Sequence, residues 1–265
     1  MSRGIELQDQ VIWLTGASSG IGEALARQLA PLCRHLFITA RTADALQDIA
    51  QGHDNVSVLV ADITDELALK NAASTIQQKY GRLDTVIANA GTCEYVDVNN
   101  FEPAMFRRVH ETNLFGLVNT VAAALPLLKQ SQRGYIVGVS SSVAMLALPR
   151  AEAYGSSKAA VTHFLESLKA DVAAMNIDVS VVSPGFVKTP LTDVNDFPMP
   201  MRISADDAAR EIIDGLRRRT WHIHFPKRFT RILWLIGHLP ATLRQRMTRA
   251  MSRTDTPPSS QESRS

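Results

Sequence analysis

The sequence predicts a single doubly wound parallel α/β sheet with helices on both faces. Short apolar runs alternate with longer amphipathic segments from residue 11 to about 225. The runs are rich in Val and Ile and lack strict alternation with polar residues, which is the pattern of strands buried on both faces. No Pro-, Gly- or Ser-rich linker divides residues 1–225. The strand–helix repetition therefore belongs to one domain, with right-handed crossovers imposed by strand twist.

The first run, Val11–Leu14, enters a glycine-rich turn and then an amphipathic helix over 20–31. Leu36–Ala40 is the second strand and 43–51 its helix. Val56–Val60 precedes a helix over 65–80, and Thr85–Ala88 precedes a long helical pattern over 102–130. Tyr135–Val139 leads to a helix over 153–174. Val179–Val182 is the sixth strand, 205–218 a helix, and His222–Phe225 a weaker seventh strand. The segment Asp193–Met201 is aperiodic and rich in Pro and Met. It predicts a flexible loop, with Met199 and Met201 either as lid residues whose adaptable side chains suit an apolar substrate or as loop residues packed against the core.

Beyond the domain, residues 226–251 form a basic and apolar C-terminal extension. Its apolar centre, Ile232–Ile236, is flanked by Lys and Arg. Such a segment is expected to cover the cleft, to form a subunit interface, or to lie on an anionic membrane surface with Trp234 at the headgroup boundary. Residues 252–265 hold no apolar side chain to bury and are expected to be disordered.

Composition narrows the function classes. The chain has 265 residues, 45% hydrophobic and 20% charged, enough for a sizeable core. A formal net charge of +2 argues against a polyanion-coated partner. The charge is uneven, however: residues 1–201 hold 15 Lys+Arg against 20 Asp+Glu, and residues 202–265 hold 13 against 6. The triplet Arg217–Arg219 reads as a solvated helix end, where cations suit the dipole, and no aromatic interleaving supports nucleic-acid binding. Cys33 and Cys93 cannot build a disulfide framework, and neither has a Cys-x-x-Cys partner. His222 and His224 lack a third ligand nearby, so no metal is expected. The N-terminus lacks a signal-peptide core, and no run of roughly 20 apolar residues is seen. The expected location is cytoplasmic, with membrane association through the C-terminal segment left open.

Four local patterns carry chemistry. The first strand runs into Thr15-Gly16-Ala17-Ser18-Ser19-Gly20-Ile21-Gly22 and then a helix. Glycines at such a turn let the backbone approach a pyrophosphate, and the helix N-terminus offers free N–H groups and a positive dipole end. At the end of the second strand, Ala40 stands where an acidic residue would bind the ribose hydroxyls of NAD, and Arg41 follows. A guanidinium can grip a 2′-phosphate, so NADP(H) is favoured over NAD(H). Tyr154 and Lys158 are one helical turn apart. An ammonium beside a phenol favours phenolate and would lower its pKa from about 10 toward neutrality. Ser140, Ser141 and Ser142 follow the fifth strand, at the end of an open sheet where ligands bind.

Together these residues resemble the short-chain dehydrogenase/reductase family from residue 8 to about 190. TGASSGIG resembles its cofactor turn, Asn89-Ala90-Gly91 its motif after the fourth strand, and Asn113 its helix asparagine. Tyr154 and Lys158 match its Y-x-x-x-K, and the segment Pro184–Thr189 its P-G-x-x-x-T. The family serine lies 13 residues before the tyrosine, which selects Ser141. The resemblance implies the Rossmann fold and hydride transfer between a nicotinamide and a carbonyl or secondary alcohol, without a metal. It casts Tyr154 as general acid or base. Lys158 would depress its pKa and bind the nicotinamide ribose, and Ser141 would polarise the carbonyl. Asn113 would hold a water linking Lys158 to solvent. Thr189 and Val187 would contact the nicotinamide amide, Asp62 would reach the adenine, and Asn89 would sit near the ribose. Gly16, Ser18, Ser19, Gly20, Ile21, Gly22, Ile63, Ala90, Gly91, Pro184 and Gly185 complete the implied cofactor set.

Two departures are visible. Many NADP-using relatives carry a basic residue inside the glycine turn, where this chain has Ser19, and Ala88 replaces a second asparagine before Asn89. The resemblance also implies a homodimer or homotetramer, built by helices 102–130 and 153–174. The alternative is a non-catalytic NADPH-binding regulator or scaffold on the same fold. The intact Ser141, Tyr154 and Lys158 set argues for the enzyme, since a pure binder need not keep it.

Overall fold

The computed structural model describes residues 6–193, 195, 197–249 and 251. Seven parallel strands form one sheet in the order β3-β2-β1-β4-β5-β6-β7. They are β1 Val11–Thr15, β2 His35–Ala40, β3 Val56–Val60, β4 Thr85–Ala88, β5 Gly134–Val139, β6 Ile177–Pro184 and β7 His222–Phe225. The chain winds outward from β1 to β3, then returns to lay β4 on the other side of β1. That reversal leaves a crevice at the carboxyl ends of β1 and β4, the place where open α/β sheets bind ligands.

Side-chain alternation along the strands builds two cores. Ile12 and Leu14 face a cluster with α1 (Gly20–Leu29) and α2 (Ala43–Ala50), where Leu25, Leu29, Leu46 and Ile49 are buried. A later helix, Ala205–Arg218, adds Ile212 and Leu216 to the same side. Val11, Trp13 and Phe37 face the opposite side. There they meet Leu69 and Ile76 of α3 (Glu66–Tyr80) together with Leu117, Val121, Val161 and Leu165. Trp13 is fully buried, and its indole Nε1 donates to Thr39 Oγ1 at 2.9 Å, so the large ring enters the core without an orphaned donor.

The helical stretch expected over 102–130 is broken in three. It is α4 (Pro103–His110), a π-helical turn over Glu111–Phe115, and α5 (Gly116–Leu128). Periodicity cannot reveal this break, because its cause is tertiary. Asn113 is drawn inward, and Gly116 lies so close to Ile63 that an added Cβ would fall 2.3 Å from Ile63 Cδ1. Pro103–Leu128 is also long and apolar enough, by composition, to cross a membrane, although Arg107, Arg108 and Glu111 interrupt its apolar residues. Leu117, Val121, Ala124 and Leu128 nevertheless pack on the sheet as core.

Helix α6 (Glu152–Val172) follows β5, a short helix α7 (Pro190–Asp193) follows β6, and α8 is Ala205–Arg218. Strand β6 is longer than its apolar run predicts, because it pairs with β5 along one edge and β7 along the other. His222 and His224 are half-buried: His222 Nε2 lies 2.8 Å from Ser183 Oγ and His224 Nδ1 2.7 Å from Thr230 Oγ1. The C-terminal extension folds as α9 (Lys227–Gly237) and α10 (Ala241–Arg249). The expectation of a disordered tail over 252–265 falls outside the described residues.

Candidate active site

The glycine turn is held by contacts that leave no room for side chains. Gly16 has φ +69°, and a Cβ there would lie 2.5 Å from Ala90 Cα. At Gly22 a Cβ would lie 1.9 Å from the Gly16 carbonyl oxygen. Asn89 braces the same turn: its Nδ2 donates to the carbonyls of Thr15 and Gly16, both at 3.1 Å. The Asn89 amide is thereby committed to the backbone of the turn even though the residue lines the cleft. Ser19 occupies the N-cap of α1, yet its hydroxyl makes no capping bond. The first-turn N–H groups of α1 thus lack a side-chain cap and face the crevice as an anion cradle.

At the end of β2, Ala40 is buried and Arg41 is 80% exposed, with its guanidinium 4.0 Å from Asp62. Asp62 Oδ1 also accepts from the Thr64 N–H and hydroxyl, both at 2.9 Å. Across the cleft, Gly20 faces Thr189, where an added Cβ would meet Thr189 Cγ2 at 3.0 Å. Thr192 Oγ1 donates to the Val187 carbonyl at 2.6 Å and so ties the segment after β6 into a closed turn. A cleft of about 670 Å³ collects these elements. It is lined by Gly16, Ser18, Ser19, Gly20, Ile21, Gly22, Arg41, Asp62, Ile63, Asn89, Ala90, Gly91, Ser141, Tyr154, Lys158, Pro184, Gly185, Val187 and Thr189.

Asn113 does not line that cleft but sits fully buried behind it. Its Oδ1 accepts from the Thr92 N–H at 2.7 Å, and its Nδ2 donates to the Thr92 carbonyl and to Ser157 Oγ, each at 2.9 Å. These bonds staple the loop after β4 to α6. The π turn is what carries Asn113 into this position.

Lys158 is buried, and its Nζ donates to the Val139 carbonyl at 2.9 Å. That nitrogen is 5.9 Å from the centre of the Tyr154 ring. Burial pulls the ammonium down to about 8. Tyr154 keeps partial exposure, but the protein packed around its hydroxyl pushes the phenol well above its ordinary value. The nearby Cys93 thiol adds to that rise, and a hydrogen bond with the Ser141 side chain opposes it. In the protein alone, burial therefore outweighs the acidifying effect expected from Lys158. The two groups are driven toward neutrality together.

Three neighbours escaped the sequence reading. Ser157 donates to the Tyr154 carbonyl at 2.7 Å while accepting from Asn113. Cys93, pushed up to about 11 by burial, is hydrogen-bonded to Tyr95 beside the Tyr154 phenol. Tyr95 in turn packs edge-on against Phe197 at 5.4 Å between ring centres. Ser157 had a signal, since it stands three residues after Tyr154 on the same helix. Cys93 and Tyr95 lie in a loop without periodicity and had none.

Comparison with known proteins agrees with this geometry. The sequence pattern of the short chain dehydrogenase family matches residues 10–197. An uncharacterized oxidoreductase of Myxococcus xanthus is 34% identical over 225 residues, covering 83% of this chain and 89% of that protein. 11-beta-hydroxysteroid dehydrogenase 1A of Arabidopsis thaliana is 32% identical over 255 residues, covering 87% of this chain and 72% of that protein. The solved structure of a short chain dehydrogenase from Burkholderia cenocepacia in complex with NADP superposes with a TM-score of 0.80 at 25% identity, covering 94% of this chain and 100% of that one. With its braced glycine turn and its Ser141, Tyr154 and Lys158 on one cleft, the chain belongs to the short-chain dehydrogenase/reductase family of oxidoreductases, which use nicotinamide cofactors on small molecules.

Proposed function

We propose that the enzyme transfers hydride between NADP(H) and a carbonyl or secondary alcohol, with Tyr154 as general acid in reduction and general base in oxidation. The observation that carries this reading is the meeting of the Tyr154 phenol, the Ser141 hydroxyl and the buried Lys158 in the same cleft as the glycine turn. The residues fit a dinucleotide. Close backbone contacts at Gly16 and Gly22 keep the cradle free of side chains, and the N-terminus of α1 is left uncapped toward it. The nicotinamide, when bound, supplies or accepts the hydride.

The chain's own groups manage the proton. Ser141 donates to the carbonyl oxygen and holds it against the Tyr154 hydroxyl. In reduction the phenolic O–H bond breaks and its proton passes to the substrate oxygen as the carbon receives hydride; in oxidation the phenolate takes that proton back. Lys158, an ammonium below about pH 8, stabilises the phenolate while it exists, an interaction that strengthens as charge develops on the phenol. Asn113 positions this machinery through Thr92 and Ser157.

Preference for NADP(H) rests on Arg41, whose exposed guanidinium stands where no carboxylate occupies position 40. The Burkholderia relative's structure with NADP supports the same choice. A chain of rings runs outward from Tyr95, beside the Tyr154 phenol. Tyr95 meets Phe197, Phe197 lies 6.1 Å from Phe186, and Phe186 lies 5.3 Å from Phe229. Such a chain suits a lipophilic carbonyl compound.

Steady-state oxidation of NADPH with a panel of apolar ketones and aldehydes tests the assignment. Tyr154→Phe is expected to lower kcat by roughly 10²–10⁴-fold while nucleotide binding, followed by fluorescence, persists. Full turnover by that variant would remove Tyr154 as the acid. In the same assay Arg41→Ala should weaken NADPH by about tenfold and leave NADH nearly unchanged, the loss of one charge-assisted phosphate contact. Equal losses for both nucleotides would refute the role given to Arg41.

A further inference from the structure

Helix α9 has two apolar faces, and only one of them is covered. Phe229 and Leu233 are buried against Leu146, with Met145, Leu148 and Phe186 packed around them. On the outer side Ile232, Trp234 and Leu235 remain 47%, 50% and 59% exposed, and Leu243 on α10 is 46% exposed. Ile232 and Leu235 are three residues apart on one stripe, and Arg228 and Arg231 continue that stripe toward the start of the helix. Arg244 Nη1 donates to the Gly237 carbonyl at 2.8 Å and so holds α10 against the end of α9.

Charge selects the occupant of this surface. Residues 227–249 contain Lys227, Arg228, Arg231, Arg244, Arg246 and Arg249, and no Asp or Glu. Two copies of this face brought together would set six cations against six without a carboxylate to pair them. A flat anionic surface that also accepts aliphatic side chains matches both halves of the pattern. We propose that α9 and α10 dock the enzyme on an anionic lipid bilayer. Ile232, Leu235 and Leu243 enter the headgroup–acyl boundary, Trp234 lies at the interface, and the arginines meet lipid phosphates. The inner face of α9 touches the 145–148 loop and Phe186, next to the substrate side, so the docked enzyme would present its cleft beside the membrane. Docking itself does not depend on the catalytic reading.

The test is co-sedimentation of the full-length protein with vesicles of phosphatidylcholine alone and of phosphatidylcholine with phosphatidylglycerol. The protein should pellet with the anionic vesicles, pellet less as salt is raised, and show a blue-shifted tryptophan emission on binding. Arg228→Gln/Arg231→Gln should weaken binding about 25-fold, taking about fivefold per cation near an anionic surface. Ile232→Glu/Leu235→Glu should abolish it. Circular dichroism and NADPH titration check that both variants keep the fold and the nucleotide site. The proposal fails if the wild type stays in the supernatant, or if it binds neutral and anionic vesicles alike. It also fails if both variants pellet as the wild type does. A wild type that ignores vesicles while Ile232→Glu/Leu235→Glu lowers the molar mass in light scattering would make this face a contact between copies instead.

Discussion

Lys158 sits in a low-dielectric pocket with the Val139 carbonyl as its hydrogen-bond acceptor, and burial brings its pKa from 10.5 to about 8. Between those values the unfolded chain binds the proton and the folded chain does not, so stability rises with pH across that window. The cost of burying this amine is complete below pH 8 and fades as pH climbs toward 10.5. Lys158→Met removes the effect. Urea denaturation of the unliganded protein should show the wild type gaining about 2 kcal/mol on the variant between pH 7 and pH 10. A pH-independent difference would contradict the burial. Tyr154 moves in the opposite direction for the same reason, since burial disfavours its phenolate. Tyr154 and Lys158 were legible in the sequence because their spacing is local, whereas Ser141 was singled out among Ser140–Ser142 only by the family resemblance. The direction of the Tyr154 and Lys158 pKa shifts was not legible, because it depends on how much protein closes over them.

At the scale of elements, the turn between β1 and α1 shows how backbone geometry selects residue type. Gly22→Ala would place a methyl 1.9 Å from the Gly16 carbonyl and 2.6 Å from Asn89 Nδ2, so the turn must open. Nucleotide affinity should fall at least about tenfold with far-UV circular dichroism unchanged, the cost of misplacing the anion cradle. Gly155→Ala is the contrasting case. Its Cβ would meet Val143 at an ordinary 3.5 Å within α6. Helix propensity then predicts a stability gain of about 0.5–1 kcal/mol. Chemical denaturation separates the two outcomes, and a matching loss at Gly155 would refute the steric argument. The glycine turn could be read directly, since strand, glycines and helix adjoin in sequence. The π turn at Glu111–Phe115 could not. It is enforced by Thr92 and Ser157, which lie 21 and 44 residues from Asn113.

For the whole molecule, Phe101, just before α4, and Phe115, in the π turn that leads into α5, stand out at 56% and 51% exposed. We propose that the α4, α5 and α6 face pairs with a second copy, as the family resemblance leads one to expect. Light scattering should then show a dimer or tetramer, and Phe115→Arg should lower the molar mass. A wild type that is already monomeric would dismiss the pairing. The sequence by itself determined the number of strands and their succession along the chain, the parallel sheet, the glycine cradle and the Tyr154–Lys158 pair, because each is written in spacing over a few residues. Only the tertiary structure decided that Asn89 braces the turn, that Asn113 staples a loop, that Cys93 and Tyr95 flank the phenol, and that α9 keeps one face uncovered. Those outcomes depend on which distant segments become neighbours and how completely they exclude water, and hydrogen-bond partners and burial across the fold have no period to read.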